Sequence, residues 1–231
     1  MLRSHMDHMV IIAPSLEVGV EYVRQTLGVN PQVGGEHPRM GTHNCLLKLG
    51  EKFYLEVIAI NPNASQPNRP RWFQLDEQPD PSQPIRLATW IARTDDIVAA
   101  STASPIPLGE VEPMSRGQMN WLITIPADGS LPLHGIAPTL IQWTAGVHPT
   151  ATMKESGCAL VRLEGFHPEA KKVISVLESI GFDGDFRVSA LPPDSKPYLV
   201  AHIQTPAGVR QLSAPIFALN SDVRQHGHTI T

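Results

Sequence analysis

The sequence predicts an α+β protein built from repeated βαβββ modules. Residues 7–61 read in order as strand, helix, strand, strand, strand. The same order recurs over 85–148 and again over 157–214, and fixed internal repetition is a strong sign of architecture. Laying GTHNCLLKLG over GQMNWLITIP aligns Gly41 with Gly117 and Asn44 with Asn120. Residues 62–84, rich in proline and polar side chains, cannot form a central strand and read as a linker between the first two copies.

In the first copy, DHMVIIAP is a short apolar strand. SLEVGVEYVRQTLG then sets Leu16, Val20, Val23 and Leu27 on one helical stripe, with Ser15 as N-cap and Gly28 as the stop. VNPQVGGEHPRMG, THNCLLKLG and KFYLEVIAI are extended pieces divided by Gly-containing turns. In KFYLEVIAI, Phe53, Leu55, Val57 and Ala59 line one face, and Tyr54, Glu56 and Ile58 the other. An ionised carboxylate in so apolar a strand costs several kcal/mol unless it gains a partner, a proton or a metal ion. That singles out Glu56, for which an arginine such as Arg39 or Arg86 is one available partner.

In the second copy, RLATWIART is a strand and TDDIVAAS a short helix opened by Thr94, with Asp95 and Asp96 at its positive end. GEVEPMSRG, QMNWLITIP and APTLIQW complete it, and the overlay sets Gln142 opposite Glu56. The third copy runs from GCALVRLEGF through HPEAKKVISVLESIG, with Pro168 at helix position N1 and Val173, Val176, Leu177 and Ile180 as the stripe. FDGDFRVSAL, PYLVAHIQT and GVRQLSA follow, placing Gln211 where the first copy has Glu56. An unpaired third module must be covered, either by the first two or by a second chain in a homodimer. Within the linker, Trp72, Phe73 and Leu75 of RWFQLD pin the segment to the body as a helical turn over a pocket mouth. The polar tail, 215–231, reads as loosely held.

Composition excludes several classes. The net charge is −4 and there is no basic run, which argues against nucleic acid. No apolar stretch approaches the roughly 20 residues that span a bilayer, and the N-terminus lacks a charged region followed by an apolar core. A soluble, cytoplasmic protein is expected. Cys45 and Cys158 sit far apart in apolar runs, as reduced core thiols do. Ser4-His5-Met6 resembles a vector remnant, so His5 is given no role.

A βαβββ unit that begins with Asp-His before an apolar strand and ends in Leu-Glu within another resembles the vicinal oxygen chelate superfamily. HPRMGTHNCLLKLGEKFYLEVIAI is similar to its glyoxalase-like domain proteins. The resemblance implies paired modules curled into an open barrel around a divalent metal, with His8 and Glu56 as ligands and the amide of Gln142 as a weak third. It also makes Glu56 the catalytic carboxylate. Zn, Mn, Fe and Ni all suit such nitrogen and oxygen donors. The implied activity is that of a lyase or isomerase on a small molecule with vicinal oxygens, the metal polarising a carbonyl while a carboxylate moves a proton.

The second module departs from that pattern, offering Leu87 or Ala88 and Gln142 where a His and a Glu are expected. The departure favours an alternative: a metal-free protein that binds and sequesters a small molecule in the same cup. Extradiol dioxygenase chemistry is the weaker third option, because a set of two histidines and one carboxylate cannot be assigned. The candidate pocket residues are His37, Asn44, Trp72, Asn120 and His134. Each also has a plain structural reading: His8 as a hydrogen-bonded core histidine, His37 as a surface loop residue, Asn44 and Asn120 as amides that satisfy turns. His134 and His148 lie in loops within reach of a metal, while Trp121 and Trp143 read as core.

Overall fold

The computed structural model describes residues 2–77, 85–145 and 147–213. The first unit comprises β1 (Ser4–Ile12), α1 (Leu16–Leu27), β2 (Gln32–His37), β3 (Thr42–Gly50) and β4 (Phe53–Ile60). The second comprises β5 (Arg86–Thr94), α2 (Ile97–Ala103), β6 (Glu110–Arg116), β7 (Met119–Ile125) and β8 (Thr139–Ala145). All eight strands join one sheet in the order β2-β3-β4-β1-β5-β8-β7-β6. In each unit the first and last strands pair in parallel, and the units meet through antiparallel β1 and β5. The sheet curls into a half-barrel until its edge strands approach: Arg39 Nη1 donates to Pro113 O at 2.9 Å, and Glu112 pairs with both Arg39 and Arg69. This is the α+β, open-barrel arrangement of βαβββ modules that the sequence predicts.

Local chemistry accounts for the helices. Ser15 Oγ accepts from the Val18 N–H at 3.3 Å, and Gly28, at φ 75°, closes α1 with its N–H on Arg24 O. Gly19 is the point where α1 touches β4, since a Cβ there would come within 2.5 Å of Val57 Cγ1. The cap of α2 is Asp96, whose Oδ1 accepts from the Ala99 N–H at 3.0 Å; Thr94, expected in that role, ends β5 instead. Ser4, His5 and Met6 belong to β1. Ser4 is fully buried and exchanges backbone hydrogen bonds with Gly181 and Asp183.

The two faces of the sheet carry different cores. On the convex face Met9, Ile11, Leu55, Val57 and Trp90 pack with Val23 and Leu27 of α1. On the concave face Val10, Ile12, Ile58, Ile123 and Ile141 pack with Trp72 and Phe73 of the linker. The linker residues Trp72–Glu77 form a 3-10 turn in which Phe73 and Gln74 adopt left-handed φ values of 59° and 56°. Such a conformation costs non-glycine residues on the order of 1 kcal/mol or more each and persists only where packing enforces it. The rest of the linker, 78–84, and the tail expected at 215–231 lie outside the described residues.

A third unit follows: β9 (Ala159–His167), α3 (Ala170–Ser179), β10 (Phe186–Ala190), β11 (Tyr198–Thr205) and β12 (Gly208–Ser213). Its linear order matches the first two units, but its sheet runs β10-β9-β11-β12, so β9 pairs in parallel with β10 rather than with the last strand. Gln211 is consequently exposed on an edge strand and has no structural equivalence to Glu56. Leu163, Ala201, Ile203 and Leu212, with Val173 and Val176 of α3, merge into the convex core. The apolar face of this unit is thus covered within the chain. Among the described residues no helix is long and apolar enough to cross a membrane. Cys45 and Cys158 are both free thiols.

Candidate active site

The concave face holds a small cavity of about 30 Å3. Its walls are chemically unequal. The first unit supplies His8, His37, Asn44, Tyr54 and Glu56. The second supplies Trp121, Ile123, Ile141 and Trp143, with Arg116 as its single charge, and Trp72 and Phe73 close the cavity from the linker.

Strand alternation puts His8 on β1 and Glu56 on β4 on this face, together with Val10, Ile12, Tyr54 and Ile58. The β1–β5 register slips between Met6 and His8, which leaves Asp7 as the extra residue of a bulge. Bulges re-aim side chains, and here the result is that consecutive residues bond each other: His8 Nδ1 lies 2.6 Å from Asp7 Oδ1. The other Asp7 oxygen, Oδ2, accepts from Trp143 Nε1 at 3.0 Å and lies 3.1 Å from His148 Nε2. Burial alone would raise the Asp7 carboxyl, but the hydrogen bonds and charges of His148 and His8 outweigh it and hold it well below the usual carboxylate range. An ionised Asp7 accepts from the Nδ1–H of His8. Nε2 then faces Glu56 Oε2, 3.6 Å away.

Glu56 is fixed on its other side. Asn44 Nδ2 donates to Glu56 Oε1 at 2.5 Å, while Asn44 Oδ1 accepts from the Gly35 N–H at 2.8 Å and from Arg116 Nη1 at 3.1 Å. Gly34 makes room for this, since a Cβ there would lie 2.1 Å from Asn44 Oδ1. Neither Arg39 nor Arg86 reaches Glu56: Arg39 pairs with Glu112, and Arg86 contacts Gln74. Tyr54 stacks on the His8 ring with centroids 4.5 Å apart. Burial, and then the charges of Asp7 and Glu56, push its phenol well above the ordinary value, so it stays protonated. His37 is buried, with Nδ1 3.1 Å from Thr42 Oγ1 and its ring edge-on to Trp72, which replaces the surface-loop reading. Burial lowers its pKa to about 4, against the opposing pull of Glu56.

Of the residues singled out from the sequence, His8, His37, Asn44, Glu56 and Trp72 meet in this cavity. Gln142, Asn120 and His134 do not. In β8 it is Ile141 and Trp143 that face the cavity, so Gln142 points the opposite way, where its Oε1 accepts from the Ile97 N–H at 2.9 Å and caps α2. Asn120 is exposed, and its amide bonds Gln118 O. His134 is exposed beside His167, in a separate cleft. Trp121 and Trp143, read as core, are cavity walls. Asp7, Tyr54 and Arg116 are the additions. Asp7 adjoins His8 in sequence and Tyr54 shares the alternation of Glu56, so both had a local signal; Arg116 had none.

His8 and Glu56 are two donors suited to a divalent ion. A ligand pair bound at about 2.1 Å each sits roughly 3–3.6 Å apart, and the Asp7–His8 bond is the usual support for a metal-binding imidazole. Among the described residues no group of three or more His, Cys, Asp or Glu side chains is arranged so that it could hold a metal ion. Among the described residues, His8 and Glu56 are the two strong donors available to a metal.

Two parallel-closed βαβββ units, sharing one curled sheet with a His on the first strand and a Glu on the last, define a protein of the vicinal oxygen chelate class. The glyoxalase-like domain family matches residues 6–181, and the chain belongs to that family. No curated protein matches the sequence. Among solved structures it is similar to a variant of Streptomyces coelicolor methylmalonyl-CoA epimerase in complex with 2-nitronate-propionyl-CoA, at 16% identity and TM-score 0.41 over 64% of this chain and 98% of that one. The Mycobacterium tuberculosis methylmalonyl-CoA epimerase aligns at 15% identity and TM-score 0.37, over 64% and 91% of the two chains. A mutant 4-hydroxymandelate synthase from Streptomyces coelicolor aligns at 13% identity and TM-score 0.43, over 92% and 63%.

Proposed function

We propose that this protein is a glyoxalase-like lyase or isomerase acting on a small molecule with vicinal oxygens, in which Glu56 carries the substrate proton. The observation behind the reading is the Asp7–His8–Glu56 line. His8 Nε2 and Glu56 Oε2 face each other in a buried site across 3.6 Å, too far for a hydrogen bond. Such a pair is built to hold positive charge, either a proton taken from substrate or a divalent ion.

Zn, Mn, Fe or Ni would be held by His8 and Glu56 and would polarise a substrate oxygen. The chain itself does the rest. Asn44 holds Glu56 Oε1, which leaves Oε2 as the proton acceptor. Asp7 keeps His8 in one tautomer and orientation. The wall formed by Trp121, Ile123, Ile141 and Trp143 excludes water, and Arg116 offers a cation to a negative group on the substrate. Homodimerisation and a cytoplasmic setting belong to the same proposal, as does the division into modules at 7–61, 85–148 and 157–214.

The second reading is a metal-free protein that binds and sequesters a small apolar or aromatic molecule. The specific support for it is that same apolar wall, which leaves the second unit with no metal-ligand side chain in the cavity. Dioxygenase chemistry is the least supported option, because the two-histidine, one-carboxylate set is not assembled among the described residues. Elemental analysis of protein purified without chelator separates the readings. The enzyme reading expects about one divalent ion per chain, lost in Glu56→Gln. A parent that stays metal-free under every divalent ion supplied, yet binds aromatic ligands, would favour sequestration.

A further inference from the structure

We propose a second binding site, in the cleft between the half-barrel and the third unit, for a small organic molecule carrying a phosphate or a carboxylate. It is separate from the cavity around Glu56 and independent of the function read there. The cleft, about 330 Å3 in volume, lies between the start of β5, the turn at Pro132–Gly135 and residues 196–199. Its walls divide by chemistry. Leu87, Ile136, Pro197 and Leu199 form an apolar side, and Arg86, Lys196 and His134 supply two permanent positive charges and an imidazole. No Asp or Glu among the described residues lines it.

Arg86 is the strongest indication. Its guanidinium is half-buried, and its partner is the Gln74 Oε1 at 3.5 Å, the limit of a hydrogen bond. Its Nε is buried with no partner among the described residues. Gln74 in turn donates to Glu77, so the nearest acid among the described residues is held one side chain away from the arginine. A guanidinium partly withdrawn from water, with no acid in contact among the described residues and only the more distant charge of Glu77 acting on it, is stabilised by an anionic ligand.

A second orphan donor lies behind His134, next to the cleft's lining rather than in it. The buried His167 accepts from the Glu169 N–H at Nδ1, so its proton is on Nε2, and Nε2 has no partner. The His167 ring is 5.9 Å from that of His134. His134 is itself held at φ 55°, next to Leu133 at φ 44°, a left-handed pair of the kind that packing enforces at ligand clamps. Positive side chains opposite an apolar wall match a molecule with an oxyanion at one end and a hydrocarbon body at the other.

Calorimetric titration of the full chain at low ionic strength with phenyl phosphate and phenylacetate tests the site. Saturable binding of at least one is expected, weakened about tenfold or more in Arg86→Gln and in Lys196→Gln, with the tighter of the two naming the head group. Binding should be unchanged in Glu56→Gln and Arg116→Gln, which alter the other cavity. Lys196 is exposed, so Lys196→Gln remains readable even if Arg86→Gln fails to fold. No saturable binding of either compound, binding that survives the loss of both cations, or binding abolished by Arg116→Gln would overturn the proposal.

Discussion

His8 Nε2 and Glu56 Oε2 face each other across 3.6 Å inside the half-barrel, each held from behind, His8 by Asp7 and Glu56 by Asn44. Neither side chain can turn away without leaving a buried partner unsatisfied. The distance is set by the parallel pairing of β1 with β4, in which Val10 lies opposite Glu56 and His8 opposite Tyr54.

Glu56→Gln keeps the shape of this pair and removes its charge. We expect it to abolish metal retention and turnover while leaving the folded protein as stable as the metal-free parent, because a neutral amide is cheaper to bury than a carboxylate. Elemental analysis and a thermal melt in chelator check the two halves. Retained stoichiometric metal in Glu56→Gln would contradict the assignment.

Asp7→Asn should act differently, through His8 and His148. It takes a fully buried negative charge away from two imidazoles and the Trp143 N–H, and breaking such a cluster costs roughly 3 kcal/mol. Because the Asp7 carboxyl is held below its ordinary value, its contribution is complete above the unfolded carboxylate pKa and is lost as pH falls toward the folded one. Urea denaturation of Asp7→Asn at neutral pH measures the loss. A change under about 0.5 kcal/mol would mean that the cluster is not stabilising.

His37 predicts a pH dependence of the same direction at milder acidity. The unfolded chain takes up this proton near 6.5 and the folded chain only near 4, so between those values the unfolded state binds more protons and stability is lost as pH is lowered. The whole shift corresponds to about 3 kcal/mol, of which roughly 2 should be lost between pH 7.5 and 5. His37→Asn should flatten that part of the curve. Identical slopes for parent and variant would remove His37 from the account.

Trp72 and Phe73 hold the linker over the cavity in a conformation that their packing enforces. Replacing both with alanine should raise protease cleavage between residues 61 and 84 while leaving the half-barrel folded. Mapping the first cleavage sites by mass spectrometry decides it, and an unchanged pattern would reduce the linker to a tether.

Much of this molecule was legible in the chain. Alternation in residues 52–60 assigned Phe53, Leu55 and Val57 to one core and Tyr54, Glu56 and Ile58 to the opposite face, because a strand's period of two needs no tertiary information. Ser15 and Gly28 marked the ends of α1 by capping chemistry that is equally local. His8 and Glu56 stood out as polar groups in apolar strands.

What only the tertiary structure decided is which side each strand of the second and third units turns inward. The overlay that set Gln142 opposite Glu56 erred by one residue, and one residue is enough to move a side chain from the cavity to the helix face. The bulge at Asp7 is a property of pairing with β5, so nothing in Asp-His by itself foretold that Asp7 would anchor His8. Arg116 reaches Asn44 only because the sheet curls until β6 meets β2. The third unit kept the element order and changed its strand pairing, since pairing is chosen by contacts between residues far apart in the chain. Local patterns determine elements and their faces; register, bulges and curvature arise between strands, and the shape of the site rests on them.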